Sequence, residues 1–235
     1  MKRFSFALLL SVVVLTCAAQ KHPMWTIRVG YGISDWIHSD GDGVPSLQIG
    51  GTVEILLSRT FGFQTGLSYM NKGALWTVEN GAPDGTAVRF RMRLHGVYAP
   101  LFLTYHIPMG DAENHYGFVS SLVTLKLGPY IGYGLGGRLK KSAAGEWLPV
   151  NGNPYSRSYN YNNLSLQAPD GTAAYLDKLN RCEAGVAAGV DVIAFGIINV
   201  SLEGGIGLTP LTTHWGGRSA KSYFIQGALC VPLLL

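Results

Sequence analysis

The sequence predicts an all-β chain, folded as an eight-stranded antiparallel up-and-down transmembrane β-barrel. Three observations predict it. Segments of about ten residues alternate between large apolar and small or polar side chains. The first twenty residues read as an export signal. The connections run long, short, long, medium, long, short, long along the chain.

The first strand shows the alternation plainly. Trp25, Ile27, Val29, Tyr31 and Ile33 are large and apolar, while Thr26, Arg28, Gly30, Gly32 and Ser34 between them are small or polar. A period of two gives a strand with two unlike faces. The pattern returns near the C-terminus at Tyr223, Ile225, Leu229, Val231 and Leu233. A soluble β-sandwich alternates in the same way, so the solvent must be read from other features.

The N-terminus supplies the first of these. Lys2 and Arg3 precede an apolar run from Phe6 to Leu15 interrupted only by Ser11. Cys17-Ala18-Ala19 then places small residues at a cleavage site. Residues 1–19 are expected to be a signal peptide cut after Ala19, leaving 20–235 as the barrel domain. The run is too short for a membrane anchor. A lipoprotein signal at Cys17 is disfavoured because Thr16 stands where a smaller residue is wanted. The full chain carries a formal charge of +4, and losing Lys2 and Arg3 leaves +2. No basic block remains, which argues against nucleic acid as a partner. Glycine is abundant, at 31 residues, and charged residues are only 14%. That composition suits close-packed strands with many small interior positions.

The expected strands are 25–34, 46–57, 61–70, 88–107, 117–139, 181–195, 197–209 and 221–235. Between them lie a Gly/Asp loop at Asp35–Pro45, a tight turn at Ser58-Arg59-Thr60 and a loop at Asn71–Ala87. There follow a polar turn at Pro108–Tyr116, a polar insertion at Lys140–Asn180, a hairpin turn at Phe195-Gly196-Ile197 and a loop at Pro210–Ala220. In a meander, alternate connections emerge at the same end, so four long loops fall together and three shorter turns fall opposite. That asymmetry belongs to outer-membrane barrels. Pro100 suggests a bulge or break in the fourth strand. The apolar stretch Ala184–Leu202 mimics a membrane helix, but Asp191 and its glycines favour a hairpin.

The polar faces collect Arg28, Glu54, Arg89, Arg91, Arg93, His95, Lys126, Glu183, Asp191 and Glu203. In an eight-stranded barrel the interior is just wide enough for side chains to fill. These ten residues are therefore expected to form a mixed-sign lumen network, and the barrel to be plugged. Trp25, Trp36, Tyr69, Trp76, Tyr98, Tyr105, Tyr130, Tyr133 and Tyr223 lie near strand ends and are expected to form interfacial belts.

Several segments carry a resemblance. Ile27-Arg28-Val29-Gly30-Tyr31-Gly32, Phe63 to Gly73, Tyr98-Ala99-Pro100-Leu101-Phe102-Leu103-Thr104-Tyr105 and Leu127-Gly128-Pro129-Tyr130-Ile131-Gly132-Tyr133 occur in this order. Together they resemble the PorT-like outer-membrane barrels of Bacteroidetes-type bacteria. The resemblance implies a small outer-membrane barrel and assigns no activity, since function does not follow from fold.

Catalytic chemistry finds little support. His22, His38, His106, His115 and His214 fall at termini, strand ends or loops, and His95 shares the arginine face. Cys182 and Cys230 are expected to be unpaired, because they lie at different depths on their strands. Alternate arginines at 89, 91 and 93 suit an anion or lipid headgroup, but an interior ladder paired to Glu54 or another acid is preferred. Gly132 to Gly137 opens no helix and fails as a nucleotide fingerprint. Gly41-Asp42-Gly43 and Pro169-Asp170-Gly171 read as turns before calcium ligands. No cofactor or metal is expected. The expected partners are outer-membrane lipid and lipopolysaccharide, and the barrel-insertion machinery. The expected role is non-enzymatic presentation of long external loops. The rivals are a narrow solute channel, a lipid-modifying enzyme using His95 and a soluble periplasmic β-protein.

Overall fold

The alternating segments close on themselves into a ring. The computed structural model describes residues 23–37, 42–58, 60–78, 86–113, 119–143, 146–156, 159–160, 175–176, 178–194, 198–215 and 218–233. Among the described residues thirteen strands are formed: β1 (Met24–Trp36), β2 (Val44–Leu56), β3 (Phe61–Val78), β4 (Val88–Glu113), β5 (Val119–Ala143), β6 (Glu146–Val150), β7 (Tyr159–Asn160), β8 (Tyr175–Leu176), β9 (Cys182–Ala194), β10 (Ile198–Gly207), β11 (Thr212–Trp215), β12 (Arg218–Ala220) and β13 (Ser222–Leu233). Eight of them make the wall, in the order β4-β3-β2-β1-β13-β10-β9-β5, with β4 and β5 closing the ring. Each wall pairing is antiparallel. The first and last strands join from Trp25 opposite Leu233 to Trp36 opposite Ser222. Closure leaves no unpaired edge in the wall, as a lipid environment requires. Residues 1–19, expected as a signal peptide, and the expected Phe195-Gly196-Ile197 turn lie outside the described residues. Ala184–Leu202 spans most of the β9–β10 hairpin, and no described helix is long and apolar enough to cross a membrane.

The two faces of β1 decide which side meets lipid. Trp25, Ile27, Val29, Tyr31 and Ile33 are exposed, while Thr26, Arg28 and Ser34 are buried. The same division runs round the ring, with Leu67, Leu103, Leu127, Leu202 and Leu229 all more than half exposed. A belt this continuous is far larger than the apolar patches that water tolerates. From Trp25 to Ile33 it spans about 20 Å at the usual strand tilt, near the ~25 Å apolar band of such barrels.

Several expected elements differ, and the Lys140–Asn180 insertion and Pro210–Ala220 loop hold the short strands β6, β7, β8, β11 and β12. β3 continues through residues 71–78, which had read as loop, because Lys72, Ala74 and Trp76 keep its inward set going against β4. β4 reaches Glu113 and β5 begins at Val119, so the polar turn is shorter than expected. Pro100 causes no register shift. Its carbonyl accepts from Thr65 Oγ1 at 2.9 Å, and the irregularity falls instead between His95 and Gly96, where β5 inserts one extra residue opposite.

Along β4 the polarity of the wall inverts while its parity does not. Val88, Phe90, Met92 and Leu94 are buried, and so are Tyr98, Phe102, Thr104 and His106 further along. The opposite face carries Arg89, Arg93 and His95 and then Leu101, Leu103, Tyr105 and Ile107, all exposed. The outer surface thus changes from cationic to apolar between His95 and Val97. That level is where the wall leaves lipid. Arg89, Arg91, Arg93 and His95 therefore face outward and are not part of the lumen. Beyond the bilayer a dry core fills the inside of the wall, so charge must turn to water.

Candidate functional site

The inward residues of the membrane-spanning wall assemble into three tiers. Nearest the short-turn end, Glu54 Oε1 lies 2.9 Å from His106 Nε2 and accepts from Thr104 Oγ1, while His106 Nδ1 lies 3.0 Å from Thr124 Oγ1. The middle tier centres on Glu203. Its Oε2 meets Arg28 Nη1 at 2.6 Å and Lys126 Nζ at 3.4 Å, and its Oε1 accepts from Tyr98 OH at 3.2 Å. Lys126 Nζ also lies 2.8 Å from Asp191 Oδ1 and donates to Ser201 Oγ at 2.9 Å. Beside this tier Gln226 donates to Gln48 at 2.5 Å.

Of the upper tier the sequence marked only Glu183 as a lumen charge. Glu183 Oε1 accepts from Lys72 Nζ at 2.9 Å, Tyr130 OH at 2.5 Å and Ser222 Oγ at 2.6 Å. Lys72 Nζ sits 4.9 Å from the ring centroids of both Tyr130 and Phe224 and 5.8 Å from that of Tyr98. Cation–π attraction thus adds to the ion pair. Glycine makes room for the rings. A Cβ on Gly185 would come within 2.5 Å of Tyr130 Cε1, and one on Gly205 within 2.5 Å of Phe224 Cε1. Lys72 escaped the sequence reading because it lay in an assumed loop. The available signal was the even-numbered inward set Gln64, Ser68, Met70 and Lys72.

Above these tiers the interior turns apolar. Trp36 stacks on Trp76 at 5.8 Å and Trp76 on Phe90 at 5.5 Å. Ala74, Val88, Met92, Leu94, Leu139, Tyr155, Leu179, Leu211 and Ala220 complete this cluster. Tyr155 and Leu179 come from the inserted segment and Leu211 from the last loop, so two loops contribute to one cap. Burial pushes the Tyr155 phenol above its ordinary range, and the Glu183 carboxylate acts in the same direction.

Six of the ten expected network residues thus line the lumen: Arg28, Glu54, Lys126, Glu183, Asp191 and Glu203. The expected aromatic belt divides. Trp25, Tyr69, Tyr105 and Tyr133 are on the outer surface, whereas Trp36, Trp76, Tyr98 and Tyr130 are buried inside. Cys182 is free and exposed, and Cys230 is free and buried. His95 contacts the Tyr69 ring at 6.3 Å on the outside of the wall. Among the described residues, no group of three or more His, Cys, Asp or Glu side chains is arranged to hold a metal ion.

A family model described as outer membrane protein beta-barrel domain matches residues 25–213. No curated protein matches the chain. Among solved structures the chain is similar to Neisserial surface protein A, at 10% identity and a TM-score of 0.42, over 90% of this chain and 99% of that one. It is also similar to the attachment invasion locus protein of Yersinia pestis, at 9% identity and a TM-score of 0.39, over 89% and 99% of the two chains. OprG from Pseudomonas aeruginosa aligns at 10% identity and a TM-score of 0.36, over 90% and 95%.

Proposed function

Because the chain belongs to the outer membrane protein beta-barrel domain family, we propose that it is a sealed, non-enzymatic outer-membrane barrel that presents its long loops at the cell surface for envelope structure or contact. The observation that carries this reading is the stack of an apolar cap on a charge-paired lumen. A solute path would have to cross both. The polar tiers hold their charges in mutual pairs, and the cap offers a passing ion nothing to replace its hydration. The loops at that end are tied into the cap through Tyr155, Leu179 and Leu211.

The PorT-like resemblance of the four segments and cleavage after Ala19 belong to this same reading. A lipid-modifying role for His95 gains no support from its surroundings, since its described ring contact is with Tyr69 and not with a nucleophile or an acid. The test is planar-bilayer recording on the full mature chain, after heat-modifiable gel mobility has confirmed a closed barrel. No stepwise conductance is expected. Reproducible steps from that material would establish the narrow-channel alternative.

A further inference from the structure

We propose that the outward basic cleft on β4 and β5 binds the phosphate groups of phosphorylated lipid headgroups in the outer leaflet. The proposal rests on the outer-membrane reading above. Arg93 lies directly opposite Arg138, and Arg91 directly opposite Lys140, in the β4–β5 register. Like charges so placed repel. The surrounding cleft has a volume of about 390 Å³, and His95 and Tyr69 line it with these four cations. None of its described lining residues is acidic. Arg91, Arg93, Arg138 and Lys140 form no ion pair among the described residues. Arg28, Lys72 and Lys126 in the lumen, by contrast, each have a carboxylate partner.

The cleft also lies at the margin of the apolar belt. Tyr69, Val97 and Tyr133 face outward at the edge of the apolar belt, and the cationic residues follow beyond Val97 on β4 and beyond Tyr133 on β5. That is the depth of lipid headgroups, where aromatic rings sit in such barrels. The cleft is also preorganised. The Arg91 guanidinium lies 4.2 Å from the Trp147 ring centroid, so β6 holds it in place. Gly136 leaves space beside His95, because a Cβ there would come within 2.5 Å of its Nε2. Several guanidinium forks converging on one cleft suit multiply charged phosphate oxygens. The occupant is identified as lipid by this placement beside the belt.

The test uses the full mature chain in phosphatidylcholine nanodiscs doped with bisphosphorylated lipid A, with retained lipid read by native mass spectrometry. The native protein is expected to retain the lipid about tenfold more strongly than the R91Q/R93Q/R138Q/K140Q variant. Dephosphorylated lipid A should be held equally weakly by both. Excess inorganic phosphate should not displace the lipid, whereas full displacement would make this a soluble-anion site and overturn the proposal. Equal retention by native and variant barrels would also overturn it. Heat-modifiable mobility reports barrel closure separately from lipid retention. If the quadruple variant loses that mobility, R93Q and R138Q are read singly, with about a threefold loss expected from each.

Discussion

Arg28 Nη1 lies 2.6 Å from Glu203 Oε2, with side-chain exposures of 2% and 0%. The pair ties β1 to β10 across the intervening β13. Lys126 and Tyr98 use the same carboxylate, so Glu203 is the anion of the whole middle tier. A buried pair of this kind adds little net stability relative to apolar residues. Removing one partner is costly because the other charge stays buried alone. Glu203→Gln should therefore destabilise the barrel by about 3–5 kcal/mol. Heat-modifiable unfolding in detergent measures it. The double change R28M/E203M should recover part of that loss, and equal losses in both variants would contradict the pairing.

Leu127 tests the solvent of the outer face. It is 64% exposed and pairs with Leu103 on the neighbouring strand, itself 53% exposed. In water, Leu127→Arg on such a surface would be close to neutral. Facing the bilayer interior it should cost about 2–4 kcal/mol. Equilibrium folding into lipid vesicles reads the difference.

Phe90 tests the cap. It is fully buried, stacked on Trp76, and lies above the lipid belt. Phe90→Ala should cost about 3–5 kcal/mol by leaving a cavity. The loss should appear first as protease sensitivity of the loop end, with heat-modifiable mobility retained. Unchanged protease resistance would mean that the cap does not hold the loops.

Much of the wall was legible because its signal is local. Trp25 to Ile33 alternate over nine positions, and one strand is enough to show that two faces differ. Arg28, Lys126 and Glu203 were legible for the same reason, since each interrupts an otherwise small or apolar inward set. Arg89, Arg91 and Arg93 were read onto the wrong face. The alternation of β4 holds through Tyr105, but the solvent on each side changes at His95. A single strand carries the period and says nothing about where the bilayer stops.

The sequence by itself determined that the chain is β, that it has eight long two-faced strands, and that its long connections share one end. These follow from period-two patterning and turn chemistry, which act between near neighbours. Only the tertiary structure decided which residues meet. Lys72 reaches Glu183 across 111 residues of chain and Arg28 reaches Glu203 across 175. The cap likewise gathers Trp36 and Leu211 into one cluster. Such contacts depend on register and closure, and both emerge only when all eight strands pair at once.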